Sequence, residues 1–329
     1  MSGITLVTGS AGHLGEALVK TLRAAGRPTR GLDVLASPCT DVVGSITDPA
    51  VVERCMDGAV DVVHAATLHK PHVATHSRQQ FVDTNITGTL HLLEAAVRAR
   101  VRCFLFTSTT SAFGDALSPP DGAPAAWITE DVAPVPKNIY GVTKIAAEDL
   151  CQLAHRNQGL ACLVLRTSRF FPDADDDPDK RAAYGDANHK LNEFLHRRLD
   201  VEDVVGAHLC AIDRAPALGF GRYILSATTP LRREDAALLR RDAPAAVSRR
   251  VPGWEASYAQ LGWRMAASID RVYDNARARA DLGWQPRHDF ASVLARARDT
   301  GDIRSPLARE IGVKGYHPDG IYPFLPGAT

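Results

Sequence analysis

Short apolar runs alternate with amphipathic stretches along the first half of the chain. Runs rich in β-branched and apolar residues predict buried strands, and they lie at residues 4–7, 28–32, 42–43, 60–64 and 102–107. Between them, apolar residues recur at helical spacing and predict helices that open after Gly15 and cover Pro49 to about Met56, Phe81 to Ala99 and Tyr140 to about Asn157. The proline- and glycine-rich segment from Gly114 to Asn138 predicts a loop of the lid type.

The first predicted strand ends in a turn that contains three glycines. Gly9, Gly12 and Gly15 have GxxGxxG spacing, a variant of the GxGxxG dinucleotide fingerprint, and a helix follows them. A glycine turn lets the backbone approach a pyrophosphate, whose charge is stabilised by the N-terminal amides of the helix. The residues of the turn predicted to contact the cofactor are Gly9, Ala11, Gly12, His13, Leu14 and Gly15.

An acidic residue, Asp33, closes the second predicted strand, about twenty positions beyond the turn. A carboxylate at this place accepts hydrogen bonds from the ribose hydroxyls of adenosine and repels a 2′-phosphate. Residues 34–37 include no arginine that would hold such a phosphate. The glycine turn and Asp33 together predict NAD rather than NADP as the cofactor.

Two further segments are predicted to lie along the cofactor. Ser45 and Ile46 follow the third predicted strand, at an edge where loops of such sheets often flank the adenine. Ala65, Ala66 and Thr67 follow the fourth predicted strand and are small enough to let a cofactor pass closely.

Two groups of polar side chains are candidates for the chemistry. Thr107 to Ser111 are five consecutive hydroxyl residues at the end of a predicted strand, where α/β proteins bind their ligands. Tyr140 and Lys144 are four residues apart on a predicted helix and therefore share one face. An ammonium group beside a phenol lowers the pKa of the phenol, which lets the tyrosine exchange a proton near neutral pH.

Composition and charge narrow the class of protein. The chain has 38 basic and 38 acidic residues, and this balance suggests neither nucleic acid nor a membrane surface as a partner. No apolar run reaches the length of a membrane span, and the first strand begins without a signal peptide before it. The six cysteines contain no CxxC pair and are expected as reduced thiols. We therefore expect a soluble cytoplasmic protein.

A group of histidines raises the question of a metal site. His69, His72 and His76 are close in the sequence, but Pro71 interrupts any regular helix, and no carboxylate or cysteine completes a ligand set with them and His64. We therefore expect no metal. Ordinary loop histidines are the leading interpretation, and a place that faces the substrate, for His69 or His72, is a better one than metal binding.

In their order along the chain, these parts resemble the extended short-chain dehydrogenase/reductases and, among them, the NAD-dependent epimerase/dehydratase family. The resemblance covers most of the chain and is specific for this branch of the superfamily, but not for a substrate. The segments that carry it are residues 8–15, Asp33, 63–66, 85–89, 104–109, Tyr140 with Lys144, 165–166, 200–204 and 280–286.

The resemblance implies an α/β fold in which a Rossmann-type doubly wound parallel sheet binds NAD and a smaller C-terminal lobe binds the substrate. It implies a division into residues 1–168 and 169–329, with elements at about 200–230 returning to the sheet, and a homodimer. By resemblance, Tyr140 is the acid/base, Lys144 binds the nicotinamide ribose, and Asn85 and Thr107 contact the cofactor. Thr109 takes the place of the usual substrate-orienting serine, and either Thr110 or Ser111 is a candidate to share this role.

One segment departs from the family members that act on nucleotide sugars. Arg169 stands where those proteins usually carry an asparagine. The segment that follows is short and carries five aspartates, at positions 173, 175, 176, 177 and 179, which would serve a pyrophosphate poorly and are expected in a solvated loop. A guanidinium that faces the substrate favours a carboxylate, sulfate or phosphate on a small molecule, whereas a structural salt bridge is the alternative role for Arg169.

The sequence therefore suggests an NAD-dependent oxidoreductase that removes hydride from a carbinol carbon of a sugar-like substrate, such as a free sugar, a sugar acid or another anionic polyol. The main alternative is an epimerase of nucleotide sugars, similar to UDP-glucose 4-epimerase, that keeps NAD tightly bound. Dehydration is less favoured, because Thr109 to Ser111 lack the Asp-Glu pair of dehydratases. A non-catalytic NAD sensor or an interaction scaffold would not require Tyr140, Lys144 and Thr109 together.

Overall fold

The computed structural model describes residues 3–175 and 177–314. Its strands are β1 (Ile4–Thr8), β2 (Thr29–Asp33), β3 (Val42–Val43), β4 (Ala59–His64), β5 (Cys103–Thr109), β6 (Ala126–Ile128), β7 (Cys162–Thr167), β8 (Phe220–Leu225) and β9 (Arg271–Tyr273). Its α-helices are α1 (His13–Ala24), α2 (Pro49–Met56), α3 (Arg78–Val82), α4 (Gly88–Ala99), α5 (Ile139–Gln158), α6 (Pro178–Ala183), α7 (Asp186–Phe194), α8 (Val201–Leu218), α9 (Ala236–Arg241), α10 (Ala243–Arg250), α11 (Trp254–Leu261), α12 (Ala276–Leu282), α13 (Phe290–Thr300) and α14 (Pro306–Ile311). The strands predicted in the first half of the chain agree with these bounds to within a few residues.

Seven of the described strands form one parallel sheet in the order β3-β2-β1-β4-β5-β7-β8. The chain moves outward in one direction from β1 to β3 and in the other direction from β4 to β8, so the strand order reverses between β1 and β4. A crevice opens at such a reversal, beyond the carboxyl ends of the strands, and α/β proteins bind ligands there. The expected doubly wound parallel sheet is confirmed.

Both faces of the sheet are covered, which is why its central strands are almost wholly apolar. Successive side chains of β5 serve opposite layers, because a strand alternates its side chains between the two faces. Leu105 packs with α1 and α8 in one core, whereas Phe104 and Phe106 pack with α2, α4 and α5 in the other. After β7, helix α8 returns the chain to the sheet and β8 forms its edge.

A second, mainly helical core lies outside the sheet. Helices α7, α9, α10, α11 and α13 bury their apolar faces together in this lobe. The segment from 114 to 138 is not purely a loop, because β6 lies within it and pairs in parallel with β9. The prediction missed β6 because a three-residue strand leaves little periodicity, and its partner strand lies far along the chain.

The helix predicted from Phe81 to Ala99 is interrupted. A π-helical turn at Asp83–Thr87 separates α3 from α4, so one extra residue enters the helical path at this point. The apolar residues Phe81 and Ile86 are five apart, and this spacing fits a π turn better than a regular α-helix. The turn places Asn85 in the interior, where it binds the segment after β4 and helix α5.

Candidate active site

A cavity of about 440 Å³ lies beyond the carboxyl ends of β1, β4, β5 and β7, and the second lobe covers part of it. Its size is typical of a small-molecule site. The lining comes from the glycine turn, from the segments after the other three strands, from helix α5 and from the second lobe. The cavity therefore occupies the crevice that the strand order creates.

The glycine turn forms the floor of the cavity at β1. Gly9 has φ +74°, and a Cβ atom there would lie 2.8 Å from the backbone nitrogen of Ala66. A Cβ atom on Gly15 would lie 1.9 Å from the carbonyl oxygen of Gly9, so α1 can approach the turn only with glycine at this position. Gly12, at the start of α1, has no side chain to cap the first amides of the helix. These features fit a dinucleotide pyrophosphate held by backbone amides.

Asp33 lies beside the glycine turn, as the predicted ribose contact requires. Its carboxylate accepts hydrogen bonds from the backbone N–H of Ala11 and of Leu35, each at 2.9 Å. These two bonds fix the carboxylate at the end of β2 and join β2 to the turn. Of the other turn residues predicted as cofactor contacts, His13 and Leu14 line the cavity.

The predicted adenine contacts lie away from the cavity lining. The hydroxyl groups of Ser45 and Thr47 are 2.8 Å apart, and Ile46 is buried against Gly88. Nothing in the geometry tests these two contacts, and they stay predictions.

Asn85 fixes the segment after β4 through hydrogen bonds. The amide oxygen of Asn85 accepts from the Thr67 hydroxyl and the Leu68 N–H, and its NH₂ group donates to the Leu68 carbonyl and to Thr143. Ala65 and Thr67 line the cavity, whereas Ala66 donates its N–H to the Thr8 hydroxyl. Asn85 therefore positions the segment that faces the cofactor space, and its own predicted contact with the cofactor stays untested.

Tyr140 and Thr109 meet in the cavity. The Thr109 side chain lies near enough to the Tyr140 phenol to lower its pKa, and Oγ1 of Thr109 accepts from the backbone N–H of Ser111 at 3.1 Å. Both side chains are largely buried, and both line the cavity. Thr110 also lines it, but its hydroxyl donates to the Thr167 carbonyl at 3.4 Å. Of these hydroxyl residues, Thr109 is thus the one that influences the phenol.

Lys144 lies one turn further along α5 and is buried. Its ammonium donates to the carbonyl of Thr107 at 2.7 Å and lies 4.0 Å from the centre of the Phe106 ring. The Thr107 hydroxyl is 2.9 Å from Nε2 of His208, which anchors this strand end to α8. Thr107 therefore positions Lys144 through its backbone.

The electrostatics of this pair differ from the expectation. Burial raises the pKa of Tyr140 to about 12, and the hydrogen bond with Thr109 only partly offsets this effect. Burial also lowers the pKa of Lys144 to about 7, so the lysine is only partly charged at neutral pH. The prediction that Lys144 lowers the pKa of Tyr140 is wrong for the protein as described, because desolvation outweighs a partial charge that is directed at a backbone carbonyl.

His69 lines the cavity near Tyr140, with 6.3 Å between the two ring centres. Its ring meets Phe171 edge to face. Burial, followed by the effect of His72, lowers the pKa of His69 to about 3, so its imidazole is neutral at physiological pH. A place that faces the substrate is therefore compatible with its position.

Arg169 lies at the cavity as predicted, but its charge is engaged. The guanidinium forms ion pairs with Asp175 and Glu193, the second at 3.2 Å. Burial opposes ionisation of Asp175, but a hydrogen bond with His189 and the charge of Arg169 lower its pKa. The salt-bridge role that was the alternative for Arg169 therefore holds in this structure.

The aspartates after Arg169 are not simply a solvated loop. Asp173 lies 3.2 Å from Nε2 of His13 at the start of α1, Asp175 is buried, and Asp177 caps α6. Asp176 lies outside the described residues. The sequence did not show this, because two of the partners, His13 and His189, come from the distant helices α1 and α7.

Two groups of carboxylates and histidines in the described ranges 3–175 and 177–314 are close enough to hold a metal. Neither includes His64, His69, His72 or His76; the groups are Asp175 with His189 and Glu193, and Asp200 with Glu202 and His288. In the first group, Arg169, Arg197 and Arg198 already neutralise the carboxylates. In the second, Asp200 caps α8 and binds Ser305.

Several cavity residues escaped the sequence analysis, among them Ser168, Arg197, Arg271 and Tyr273. Ser168 directly follows β7, Arg197 follows α7, and Arg271 and Tyr273 lie on β9. No local spacing connects them to the glycine turn or to Tyr140, since the sheet and the second lobe bring them together. Among these four residues, only Ser168 could have been recognised from the sequence as a site residue, because it directly follows a strand end at the edge where ligands bind.

The fold and the cavity define a dinucleotide-binding α/β protein of the Rossmann type. The model of the NAD dependent epimerase/dehydratase family matches residues 5–222, and the chain belongs to this family of enzymes, with NAD as the cofactor.

Individual relatives are distant but cover almost the whole chain. The chain is 25% identical to a 3-beta-hydroxysteroid dehydrogenase of Mycolicibacterium neoaurum, with 89% of this chain and 90% of the relative aligned. It is 26% identical to a UDP-glucose 4-epimerase of Streptomyces lividans, over 84% and 99% of the two chains. The crystal structure of a short-chain dehydrogenase/reductase superfamily protein from Agrobacterium tumefaciens with bound NAD is 25% identical and has a TM-score of 0.65, over 93% and 97% of the chains. In the described residues, no helix is both long and apolar enough to cross a membrane.

Proposed function

We propose that this protein is an NAD-dependent oxidoreductase that oxidises a carbinol carbon of a sugar-like substrate. The observation that carries the proposal is that Tyr140 and Thr109 line the same cavity as the glycine turn. This arrangement puts an acid/base and an orienting hydroxyl in the same space as the predicted cofactor site.

Each residue has a defined role in the proposed reaction. Thr109 hydrogen-bonds the substrate oxygen, and Tyr140, in its phenolate form, accepts the proton of the substrate hydroxyl as general base. Lys144, held by the Thr107 carbonyl, binds the ribose next to the nicotinamide. The amides of the glycine turn and Asp33 hold the pyrophosphate and the adenosine ribose. NAD, when bound, supplies the hydride acceptor.

The lining of the cavity supports a polar substrate. Charged side chains from the second half of the chain reach it, and they are Arg169, Asp173, Asp175, Asp177, Lys180, Arg197 and Arg271. A steroid, the substrate in the name of one relative, would leave these groups poorly solvated. A free sugar, a sugar acid or another anionic polyol would hydrogen-bond with them.

The test is NADH absorbance after the protein is mixed with NAD and a panel of aldoses, hexuronates and phosphorylated or sulfated sugars. We expect oxidation of one class, and a loss of kcat of about 10²- to 10⁴-fold in Tyr140→Phe. Tyr184→Phe, a tyrosine outside the cavity lining, is the matched control and keeps its activity. Equal activity of Tyr140→Phe and wild type would refute the role of Tyr140.

Epimerisation of a nucleotide sugar is the second candidate, and the similarity to a UDP-glucose 4-epimerase favours it. In that reaction Tyr140 returns the proton after the keto intermediate is reduced from its other face. The same assay separates the two functions. No net NADH, together with NAD released on denaturation and conversion of a nucleotide sugar to its epimer, supports the epimerase.

We further propose that residues 1–168 form the cofactor-binding part and residues 169–329 mainly the substrate-binding lobe, with α8 and β8 returning to the sheet. Residues 315–329 of that lobe lie outside the described residues. For the expected homodimer, α4 and α5 are the proposed interface, because Leu90, Val142 and Leu153 are apolar and exposed on them. Two helices that pack on the same helices of a second subunit would cover these side chains.

A further inference from the structure

Three residues of the cavity lining each hold a buried polar atom with no hydrogen-bond partner among the described residues. The atoms are Oγ of Ser168, Nε of Arg197 and Nε of Arg271. Most buried donors in folded proteins are paired, and an unpaired donor is unfavourable. Three such donors at one cavity point to oxygen atoms of a ligand.

The three residues come from both sides of the cavity. Ser168 follows Thr167, which pairs in register with Thr109 across β5 and β7, so Ser168 lies next to the proposed catalytic hydroxyl. Arg197 and Arg271 belong to the second lobe, one after α7 and the other at the start of β9. A ligand that reaches all three spans the space between the sheet and the lobe.

The two arginines keep binding capacity beyond their ion pairs. Nη2 of Arg197 is 2.6 Å from Glu193, and Nη1 of Arg271 is 2.8 Å from Asp270. The Asp270 side chain is 41% exposed, so water also stabilises its charge. A guanidinium has five N–H donors in a planar fork and binds an oxyanion through two of them at once.

We propose that Arg197 and Arg271 bind an anionic oxygen group of the substrate, with Ser168 donating a hydrogen bond to the same substrate. The shared chemistry is that of a carboxylate, a phosphate ester or a sulfate ester. The inference rests on the proposed function and makes its substrate class narrower. In this proposal the anion binds Arg197 and Arg271 of the second lobe and not Arg169, because Arg169 forms ion pairs with Asp175 and Glu193.

Arg271→Gln is the sharpest test. Its ion-pair partner Asp270 is partly exposed to solvent, so the substitution does not leave a buried carboxylate without a counter-ion. NADH formation is measured with aldohexoses and with the matching hexuronates, 6-phosphates and 6-sulfates. For the anionic member that reacts, we expect KM to rise about 10- to 100-fold with little change in kcat, and no change for neutral sugars. Arg271→Lys recovers part of the loss because it keeps the positive charge.

Further variants control for structural effects. Arg197→Gln gives a loss of the same kind, and Ser168→Ala a smaller one. Arg249→Gln, an exposed arginine on α10 outside the cavity lining, leaves KM unchanged. NAD affinity is measured for every variant, and an unchanged value shows that the sheet and the glycine turn are intact.

Direct binding keeps the inference separate from the reaction. Calorimetry of the NAD-loaded protein with a hexuronate, a hexose 6-phosphate and a hexose 6-sulfate compares wild type with Arg271→Gln. Weaker binding to the variant supports the anion subsite, even if no sugar in the panel is oxidised and the proposed function fails. Equal affinities of wild type and variant for every anion, or a preference of wild type for the neutral sugars, would overturn it.

Discussion

Lys144 is predicted to destabilise the free protein in a pH-dependent way, and Lys144→Met tests this. Its ammonium is buried, donates one hydrogen bond to the Thr107 carbonyl, and has no carboxylate partner among the described ion pairs. Burial holds its pKa near 7, well below the ordinary 10.5. Between these two values the unfolded chain binds a proton that the folded protein does not bind.

The sign and size of the effect follow from this difference. Because the folded protein carries fewer protons in this window, the free energy of unfolding rises with pH from about 7 to about 10. With 1.36 kcal/mol for each pKa unit, this lysine alone changes the stability by about 3 kcal/mol between about pH 6.5 and 9.5. Methionine fills a similar volume without a charge, so Lys144→Met is more stable than wild type at pH 6.5 and loses this advantage as the pH rises.

The assay is urea unfolding of the NAD-free protein and of Lys144→Met at several pH values. The two proteins share all other titrating groups, so the difference between their unfolding free energies isolates the lysine. Lys137→Met, which removes an exposed lysine, shows no such trend. If the difference between wild type and Lys144→Met is constant across this range of pH, the lysine is not buried as an uncompensated charge and the reasoning is refuted.

Three further predictions concern the cofactor and the subunit interface. Gly15→Ala abolishes NAD binding in calorimetry, because its Cβ meets the Gly9 carbonyl at 1.9 Å, whereas Gly185→Ala, which meets no atom within 4 Å, leaves the affinity unchanged. Asp33→Ala weakens NAD binding about 10-fold and narrows the preference for NAD over NADP, as measured by the ratio of the two dissociation constants; an unchanged ratio contradicts the ribose assignment. Leu153→Glu converts the expected dimer to a monomer in light scattering with NAD binding intact, whereas a wild-type monomer contradicts the proposed interface.

The parts of the site that could be predicted are those whose geometry is determined locally. Gly9 and Gly15 are needed because a strand, a turn and a helix meet within a few residues, and their spacing shows this directly. Tyr140 and Lys144 share a helical face for the same reason. The fold class could be predicted because the strands of a sheet covered on both faces are apolar on both faces, and they therefore appear in the sequence as a series of apolar runs.

The parts that could not be predicted depend on contacts between distant segments. Arg169 has two predicted roles, contact with the substrate or a structural salt bridge, and the sequence does not decide between them because the partner Glu193 lies 24 positions later, on α7. The strand β6 is visible only when β9 has been placed beside it, and the same pairing brings Arg271 to the cavity. The pKa of Tyr140 depends on how deeply its hydroxyl is buried, which is a property of the packed cavity.

Burial favours the neutral forms of titratable groups on both sides of the cavity, but in the second lobe neighbouring charges overcome it. Near the sheet, it raises the pKa of Tyr140 and lowers those of Lys144 and His69, so all three groups are shifted toward their neutral forms. In the second lobe, Arg197 and its neighbours hold the pKa of Glu193 well below its usual range despite burial, so this carboxylate stays ionised. A neutral carbinol therefore suits the side near the sheet, and in the second lobe the ionised Glu193 leaves an anionic group only the arginine N–H donors that Glu193 does not occupy.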